Sequence, residues 1–232
     1  MIITIDGPIA TGKSTIAKTL AHEIGYIYFD TGAMYRCVTY GILKHHVNVD
    51  HPEELKAFLD NFKFDIKVRH GERRYHVDHE DVSDLIRLDE VTSAVSRVSA
   101  LRAVREKLVA LQREHSIGVN AVFEGRDMGT AVFPDAQIKV FLTGRPEIRA
   151  KRRFDELRKK YPNETKDLTI EKTLEDINRR DNLDMTREMS PLKQAPEALV
   201  IDTSDLTIEE IIFKILEFKD SMKTKAKPKN DL

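Results

Sequence analysis

The sequence predicts an α/β fold in which a parallel sheet of five strands is flanked by helices on both faces. Short apolar runs, typical of buried parallel strands, recur along the 232-residue chain. Longer segments with helical periodicity lie between them, and strands alternating with helices form a parallel sheet. The length of the chain suits one domain, or one domain with a modest insertion, and the sequence contains no internal repeat.

The expected strands share their shortness and their apolar character, and they are residues 2–5, 26–29, 121–123, 138–142 and 198–201. The expected helices fall between them or after them, at residues 13–24, 33–46, 101–115, 146–160 and 207–222. The third helix shows the pattern most clearly, because Leu101, Val104, Leu108 and Leu111 recur at three- and four-residue intervals.

Two segments interrupt this alternation. Residues 62–83 alternate between polar and apolar on either side of a turn at His70-Gly71-Glu72, which predicts an antiparallel hairpin. Together with a helix near 52–61, the hairpin forms an expected insertion over about 51–84. The second segment, about 146–187, is rich in basic residues, and an ordinary solvated helix face is its alternative interpretation. We expect one domain over 1–222, with its core at about 1–50, 85–145 and 188–222, and a polar tail over 223–232.

The composition argues against two classes of partner. The chain has 38 basic and 39 acidic residues, a net charge of −1, so neither nucleic acid nor a membrane is expected as a partner. No apolar run approaches the roughly 18 residues of a membrane span. The single cysteine, Cys37, lies among apolar residues and is interpreted as packing, which fits a reducing cytoplasm. A cytoplasmic monomer is therefore expected.

A glycine-rich segment follows the first expected strand directly and carries the strongest signal in the chain. It fits the pattern G-x-x-x-x-G-K-[ST] and comprises Gly7, Pro8, Ile9, Ala10, Thr11, Gly12, Lys13, Ser14 and Thr15. In this pattern the backbone N–H groups surround phosphate oxygens, the lysine reaches the outer phosphates and the Ser14 hydroxyl can ligate Mg²⁺. The position between strand and helix favours this phosphate-binding loop over a plain glycine-rich turn.

Several arginines lie where a parallel sheet forms its ligand crevice, beyond the carboxyl ends of the strands. Arg36 follows the second expected strand, and Arg126 follows the third. Arg180, Asp184 and Arg187 are spaced by four and three residues, which predicts that one helix face carries all three. A surface ion pair is the alternative for any single arginine, but their joint placement favours an anion site.

The motifs together resemble those of the bacterial cytidylate kinases. The resemblance covers most of residues 1–215 and rests on five segments: G-P-I-A-T-G-K-S-T, D-T-G-A-M-Y-R, A-V-S-R-V-S-A…V-R, G-R-D-M-G-T and R-D-N-L-D-M-T-R. It implies a P-loop kinase fold with a small antiparallel β-hairpin insertion and a helical lid. It also implies transfer of the γ-phosphoryl group of ATP, with Mg²⁺, to CMP and dCMP.

The resemblance further implies a role for each matching residue. Those that hold the acceptor phosphate are Arg36, Arg126 and Arg187. Those that contact the cytosine edge are Ser96, Arg105 and Asp127. Those that contact the ribose hydroxyls are Arg180 and Asp184, while Thr31, where relatives often have serine, contacts the nucleotide. Beyond the resemblance, we expect Lys13 to act as a catalytic residue with these three arginines, and Arg152 or Arg153 in the lid to follow the transferred group.

This sequence departs from the family pattern in places. Leu183 and Met185 stand where some relatives carry arginine, and Ser14 stands where some carry glycine. For Asp127, an ion pair with Arg126 or a helix N-cap is the structural alternative. For Asp30, positioning Mg²⁺ through water and capping a helix remain equally open.

Three other functions share the phosphate-binding loop. Another small kinase, such as a shikimate, uridylate or thymidylate kinase, would lack the set formed by Ser96, Arg105 and Asp127. A nucleotide-operated switch that reads guanine would carry an N/T-K-x-D motif, which this sequence lacks. An ATP-dependent nucleic-acid protein is disfavoured by the near-neutral charge and the aromatic content of 7%. The histidines show no spacing typical of a zinc site.

Overall fold

The computed structural model describes residues 1–69 and 72–225. Its strands and helices follow in this order: β1 Ile2–Asp6, α1 Lys13–Glu23, β2 Ile27–Asp30, α2 Thr31–Lys44, α3 Pro52–Asn61, β3 Phe64–Arg69, β4 Glu72–Val77, β5 Glu80–Asp81, α4 Asp89–Val98, α5 Arg102–His115, β6 Ala121–Gly125, β7 Ile138–Thr143, α6 Pro146–Lys160, α7 Ile170–Thr186, β8 Leu199–Asp202 and α8 Ile208–Lys225. A 3₁₀ turn covers Leu85–Arg87, and a π-helical segment covers Met128–Val132.

The chain divides into two compact units. Unit 1 comprises Met1–Phe29, Gly118–Thr186 and the described residues from Ser190 onward. Unit 2 comprises Asp30–Ile117 together with Arg187–Met189. The sequence-based division into core, insertion and lid refers to function, and it stays a prediction.

A five-stranded sheet in the order β2-β6-β1-β7-β8 contains the central strands of unit 1. Strand β1 pairs in parallel with both β6 and β7, and β7 pairs in parallel with β8. The core beside it contains fully buried side chains such as Ile3, Ile5, Val140 and Leu142. The predicted α/β fold is thus confirmed, and each predicted strand matches an observed one to within one or two residues at its ends.

A three-stranded antiparallel sheet, in the order β3-β4-β5, belongs to unit 2. Phe64 lies opposite Val77 and Arg69 opposite Glu72, so the predicted hairpin is confirmed, although His70 and Gly71 of its expected turn lie outside the described residues. The sequence missed β5 because two residues are too few to show an alternating pattern. Cys37 is fully buried in the core of unit 2, as expected.

Two helices precede β6, and the second of them, α5, matches the helix expected over 101–115. Helix α4 carries Ser96 and ends at Val98, whereas α5 carries Arg105 and begins at Arg102. Helix α8 continues to Lys225, beyond the expected end at 222, and the rest of the expected tail lies outside the described residues. Within the described ranges, no helix is both long and apolar enough to cross a membrane.

The last residue of β1 anchors the segment that follows β6. The carboxylate of Asp6, 4% exposed, accepts hydrogen bonds from the backbone N–H groups of Met128 (2.9 Å) and Gly129 (2.8 Å). Burial raises the pKa of Asp6 to about 7, and the two N–H donors oppose that shift. Asp6 therefore fixes the start of the π-helical segment at some electrostatic cost.

Gly7 allows the chain to leave β1 very close to β7. Its φ is +150°, and a Cβ atom at this position would lie 2.2 Å from the carbonyl oxygen of Leu142. The obstacle is backbone in the middle of a sheet, so it cannot rotate away as a side chain can. Only glycine fits here without moving a strand.

Replacing Gly7 with alanine should therefore lower the free energy of unfolding by at least about 3 kcal/mol. Gly118→Ala is the matched control, because Gly118 also has positive φ (+72°) but has open space where a Cβ would be added. The control should lose only the left-handed backbone cost of about 1–2 kcal/mol. Urea unfolding followed by circular dichroism measures both losses, and equal losses would show that the contact with Leu142 does not matter.

Asp6→Asn should change how stability depends on pH. The ordinary pKa of Asp6 is 3.8 and its folded value is about 7. Between these values the folded state holds a proton that the unfolded state has released. The free energy of unfolding of the wild type, minus that of the variant, should therefore fall by up to about 1.4 kcal/mol per pH unit as pH rises from about 4 to about 7. A difference that rises with pH over this window would mean that the N–H donors outweigh burial.

Candidate active site

The phosphate-binding loop joins β1 to α1 in a conformation that few residue types adopt. Ala10 has φ of 59° and Gly12 has φ of 86°, both in the left-handed region. The Thr11 hydroxyl donates to the carbonyl oxygen of Pro8 (3.0 Å), which closes the loop on itself. The first turn of α1, with its unsatisfied N–H groups, begins at Lys13 immediately afterwards. This arrangement suits an anion.

Lys13 is 5% exposed, and its ammonium group donates to the carbonyl oxygen of Pro8 at 2.5 Å. Burial and, next to it, the positive charge of Arg126 together lower its pKa to about 7, against the opposing effect of the Glu124 carboxylate. A bound anion next to a lysine with a lowered pKa favours its protonated, positively charged form.

Arg126 immediately follows β6 and pairs with a residue of α7. Its Nε donates to Oδ2 of Asp184 at 2.8 Å, and the two side chains are 25% and 17% exposed. Burial lowers the pKa of Arg126, but the carboxylates of Asp184, Glu124 and Asp181 together outweigh it and the pKa is raised. The structure thus brings together Arg126 and Asp184, two of the residues expected at the site.

Asp127 is 2% exposed and immediately precedes the π-helical segment. Its backbone carbonyl accepts from the N–H groups of Ala131 (2.9 Å) and Val132 (3.2 Å), while its side chain makes no capping hydrogen bond to that segment. The N-cap alternative for this carboxylate is therefore wrong. Because Asp6 holds the next two residues, the backbone around Asp127 is fixed.

Arg180 lies on α7, one turn before Asp184. Burial lowers its pKa, and the positive charges of Arg126 and Arg153 lower it further. Because Arg126 also depresses the pKa of Lys13, Lys13, Arg126, Arg180 and Arg153 form a chain of mutually repelling cations in unit 1. Such a concentration of positive charge attracts a polyanion.

The two candidate lid arginines have different partners. Arg152 donates to the hydroxyl (3.0 Å) and the carbonyl (2.5 Å) of Thr203, after β8. Arg153 pairs with Glu156 at 2.9 Å, and its positive charge lowers the pKa of Arg180. Of the two, Arg153 therefore belongs to the chain of cations.

Unit 2 holds the remaining expected residues, and its own residues orient two of them. Arg36 on α2 donates to the Ile86 carbonyl (3.1 Å) and the Thr92 hydroxyl (2.8 Å). Arg105 is 1% exposed, donates to the Ser99 carbonyl at 3.3 Å and lies with its guanidinium 5.5 Å from the centre of the Tyr35 ring.

Thr31 and Ser96 occupy different environments in unit 2. Thr31, the first residue of α2, is buried, and Ser96 on α4 is half-buried. Asp30 caps α2 by accepting from the Ala33 N–H at 2.9 Å, which is one of the two roles left open for it.

The predicted helix face with three polar residues is wrong for Arg187. Helix α7 ends at Thr186, so Arg187 lies beyond it and groups with unit 2. The helix stops because the chain turns back: the Leu192 N–H donates to the Asp184 carbonyl at 2.8 Å, and Ser190 has φ of 49°. Arg180 and Asp184 alone share the helix.

Sequence reasoning missed a buried ion pair beside the phosphate-binding loop. Arg149 on α6 and Asp181 on α7 are 5% and 4% exposed, and Arg149 Nη1 lies 2.5 Å from Asp181 Oδ2. Both also bond to the backbone of Ile9. The only sequence signal was their place in two polar segments, which does not reveal a partner.

The fit of the residues to Mg²⁺ rests on Ser14. Its side chain is exposed on the first turn of α1, beside Lys13, and a hydroxyl oxygen is a suitable hard ligand. Among the described residues, no group of three histidine, cysteine, aspartate or glutamate side chains could hold a metal ion.

Comparison with solved structures gives the fold. The chain resembles a shikimate kinase from Bacteroides thetaiotaomicron with a TM-score of 0.50 and 12% identity, covering 95% of this chain and 98% of that one. It also resembles an uncharacterized protein from Eubacterium ventriosum with a TM-score of 0.52 and 12% identity, at the same coverage. At these identities the likeness shows the shared architecture alone.

Comparison with curated sequences gives the family. The cytidylate kinase from Protochlamydia amoebophila is 67% identical over 225 residues, which cover 97% of this chain and 99% of that protein. The cytidylate kinase from Lactobacillus johnsonii is 47% identical over 94% of this chain and 93% of its own length. The family profile described as cytidylate kinase matches residues 3–221. With near-complete matches of this kind, the chain belongs to the cytidylate kinase family.

Proposed function

We propose that this protein transfers the γ-phosphoryl group of ATP to CMP, giving CDP and ADP, and that it also accepts dCMP. The observation that supports this most directly is the chain of cations formed by buried Lys13 and half-buried Arg126, Arg180 and Arg153, which begins in the phosphate-binding loop. A reaction between two phosphorylated nucleotides needs such a concentration of positive charge. Membership of the cytidylate kinase family supplies the identity of the acceptor.

The donor phosphates of ATP bind to the loop formed by residues 7–15. The N–H groups of the loop and of the first turn of α1 bind the phosphate oxygens, and the Lys13 ammonium moves from the Pro8 carbonyl to the outer phosphates. Ser14 is the residue that would ligate Mg²⁺. When bound, the magnesium ion neutralises charge that develops on the phosphate oxygens.

The acceptor phosphate binds to Arg36, Arg126 and Arg187. In the absence of nucleotide Arg126 pairs with Asp184, and a phosphate is an equally good partner for a guanidinium group. The acceptor phosphate carries its negative charge near neutral pH, so it needs no general base to become a nucleophile. The residues act by alignment of the two phosphates and by charge stabilisation.

The cytosine base is selected by Ser96, Arg105 and Asp127. Carboxylate and hydroxyl oxygens can accept from the exocyclic amine of cytosine, whereas uracil presents an oxygen there, which leaves two acceptors facing each other. Sites built on buried hydrogen bonds reject the mismatched partner by roughly 10⁴-fold. The burial of Arg105 and Asp127 is consistent with this selection.

The remaining parts of the proposed site are the contacts with the ribose and the two segments that close over the nucleotides. Arg180 and Asp184 contact the ribose hydroxyls, and Thr31 contacts the nucleotide. The insertion at about 51–84 closes over CMP, and the lid at about 146–187 closes over ATP, which excludes water and suppresses ATP hydrolysis. The enzyme acts as a monomer in the cytoplasm.

An acceptor panel tests the proposed function. A coupled assay of ADP release should show rapid turnover with CMP and dCMP, and at least about 100-fold lower kcat/KM with UMP, AMP and shikimate. ADP release that does not depend on the acceptor would instead indicate a nucleotide-operated switch. Preference for shikimate or UMP would assign another kinase activity.

Arg126→Ala should lower kcat/KM for CMP by about 10–150-fold, because a hydrogen bond to a charged group contributes roughly 1.5–3 kcal/mol. Arg97→Ala is a matched control, since Arg97 forms only an exposed pair with Asp50 at 2.8 Å. Steady-state kinetics with both substrates measures the effect. A ratio within threefold of the wild type, with the fold intact by circular dichroism, would remove Arg126 from the phosphate site.

A further inference from the structure

The phosphate-binding loop is fixed from outside by two buried side chains. The N–H group of Ile9 donates to Oδ1 of Asp181 at 3.1 Å, and the carbonyl oxygen of Ile9 accepts from Nη1 of Arg149, also at 3.1 Å. Arg149 and Asp181 bond to each other, so the three residues form a closed hydrogen-bonded ring. Both peptide groups on either side of Ile9 are therefore held.

The ring holds the loop where its backbone is least favourable. Ala10, the next residue, has φ of 59°, a conformation that costs a residue with a Cβ roughly 1–2 kcal/mol. The peptide group between Ile9 and Ala10 is the one whose carbonyl oxygen Arg149 binds. Without that contact, relaxation of Ala10 would rotate this peptide group and change where the loop's N–H groups point.

Arg149 is itself anchored at a second point. Its Nε donates to the carbonyl oxygen of Gly144 at 2.9 Å, directly after β7. The planar guanidinium group therefore spans the end of a sheet strand, the loop and α7. Lysine has one compact ammonium group and cannot reproduce this fork.

We propose that Arg149 and Asp181 are positioning residues that keep the phosphate-binding loop in its ATP-binding shape. They act through the backbone of Ile9 and touch no nucleotide. The proposal rests on the proposed function only in that ATP is the ligand of the loop. Arg149 and Asp181 also join the loop to α6 and α7, which belong to the expected lid. A movement of either helix would therefore change the position of the loop.

Removing one partner is a poor test by itself, because a lone buried charge commonly costs 3–5 kcal/mol and can unfold the protein. The informative variant replaces both charges with apolar side chains, Arg149→Met with Asp181→Leu. Apolar replacement of a buried pair is often neutral for stability. It nevertheless leaves the N–H and the carbonyl oxygen of Ile9 without these two partners.

The double variant should unfold within a few degrees of the wild type and bind ATP at least about 10-fold more weakly by isothermal titration calorimetry without acceptor. Its KM for ATP should rise accordingly, while its KM for CMP at saturating ATP stays within about twofold. The single variant Arg149→Lys, which keeps Asp181, should also bind ATP more weakly than the wild type, even where it folds. Lys151→Gln with Asp155→Asn, which removes an exposed ion pair of α6, is the matched control and should behave as the wild type.

Two outcomes separate the inference from the function it rests on. Wild-type affinity for ATP in the folded double variant, or in Arg149→Lys with Asp181 retained, would overturn the positioning role while CMP phosphorylation by the wild type stands. A wild-type protein that binds ATP but does not phosphorylate CMP would overturn the proposed function alone, because the calorimetric comparison uses no acceptor.

Discussion

Repulsion among one buried and three half-buried cations is the physical constraint on which the candidate active site in unit 1 depends. Burial and neighbouring positive charge lower the pKa of Lys13 and of Arg180, and Arg126 contributes to both shifts. Folding can hold such groups together only because carboxylates lie among them, and Asp184 is hydrogen-bonded to Arg126. These carboxylates offset the repulsion among the cations only in part. A bound phosphate would offset the rest, so relief of this repulsion favours the binding of a polyanion.

The loop itself adds a backbone constraint to this electrostatic one. The positive φ values at Ala10 and Gly12 and the close approach of Gly7 to β7 fix the loop between a rigid strand and a rigid helix. Because the hydrogen-bonding groups are oriented before the ligand arrives, binding does not have to order the loop. The same rigidity explains why an alanine carries a left-handed conformation here: surrounding contacts determine it.

Short continuous patterns in the sequence predicted strands and the phosphate-binding loop. Hydrogen bonds between residues far apart in the sequence could not be predicted in this way. Apolar runs located the five strands, and a nine-residue motif located the phosphate-binding loop, because both signals are short and continuous. The bonds from Ile9 to Arg149 and Asp181 join residues 140 and 172 positions apart, and no periodicity records them. Arg187 was misplaced for a related reason: spacing by three predicts a shared helix face only if the helix continues, and the bond from Leu192 to Asp184 ends it.

Two arginine–aspartate pairs have their aspartates three residues apart on α7. Their difference in burial separates a structural role from a role in ligand binding. The side chains of Arg149 and Asp181 are 6% and 5% exposed, whereas those of Arg126 and Asp184 are 25% and 17% exposed. Exchanging a carboxylate for a phosphate requires solvent or ligand to reach the guanidinium, and a charge left alone during the exchange is costly in proportion to its burial. The open pair can therefore change partners during a reaction cycle, and the closed pair cannot. The motif R-D-N-L-D thus places the aspartate of a buried ion pair and the aspartate of a more exposed one on successive turns of a single helix.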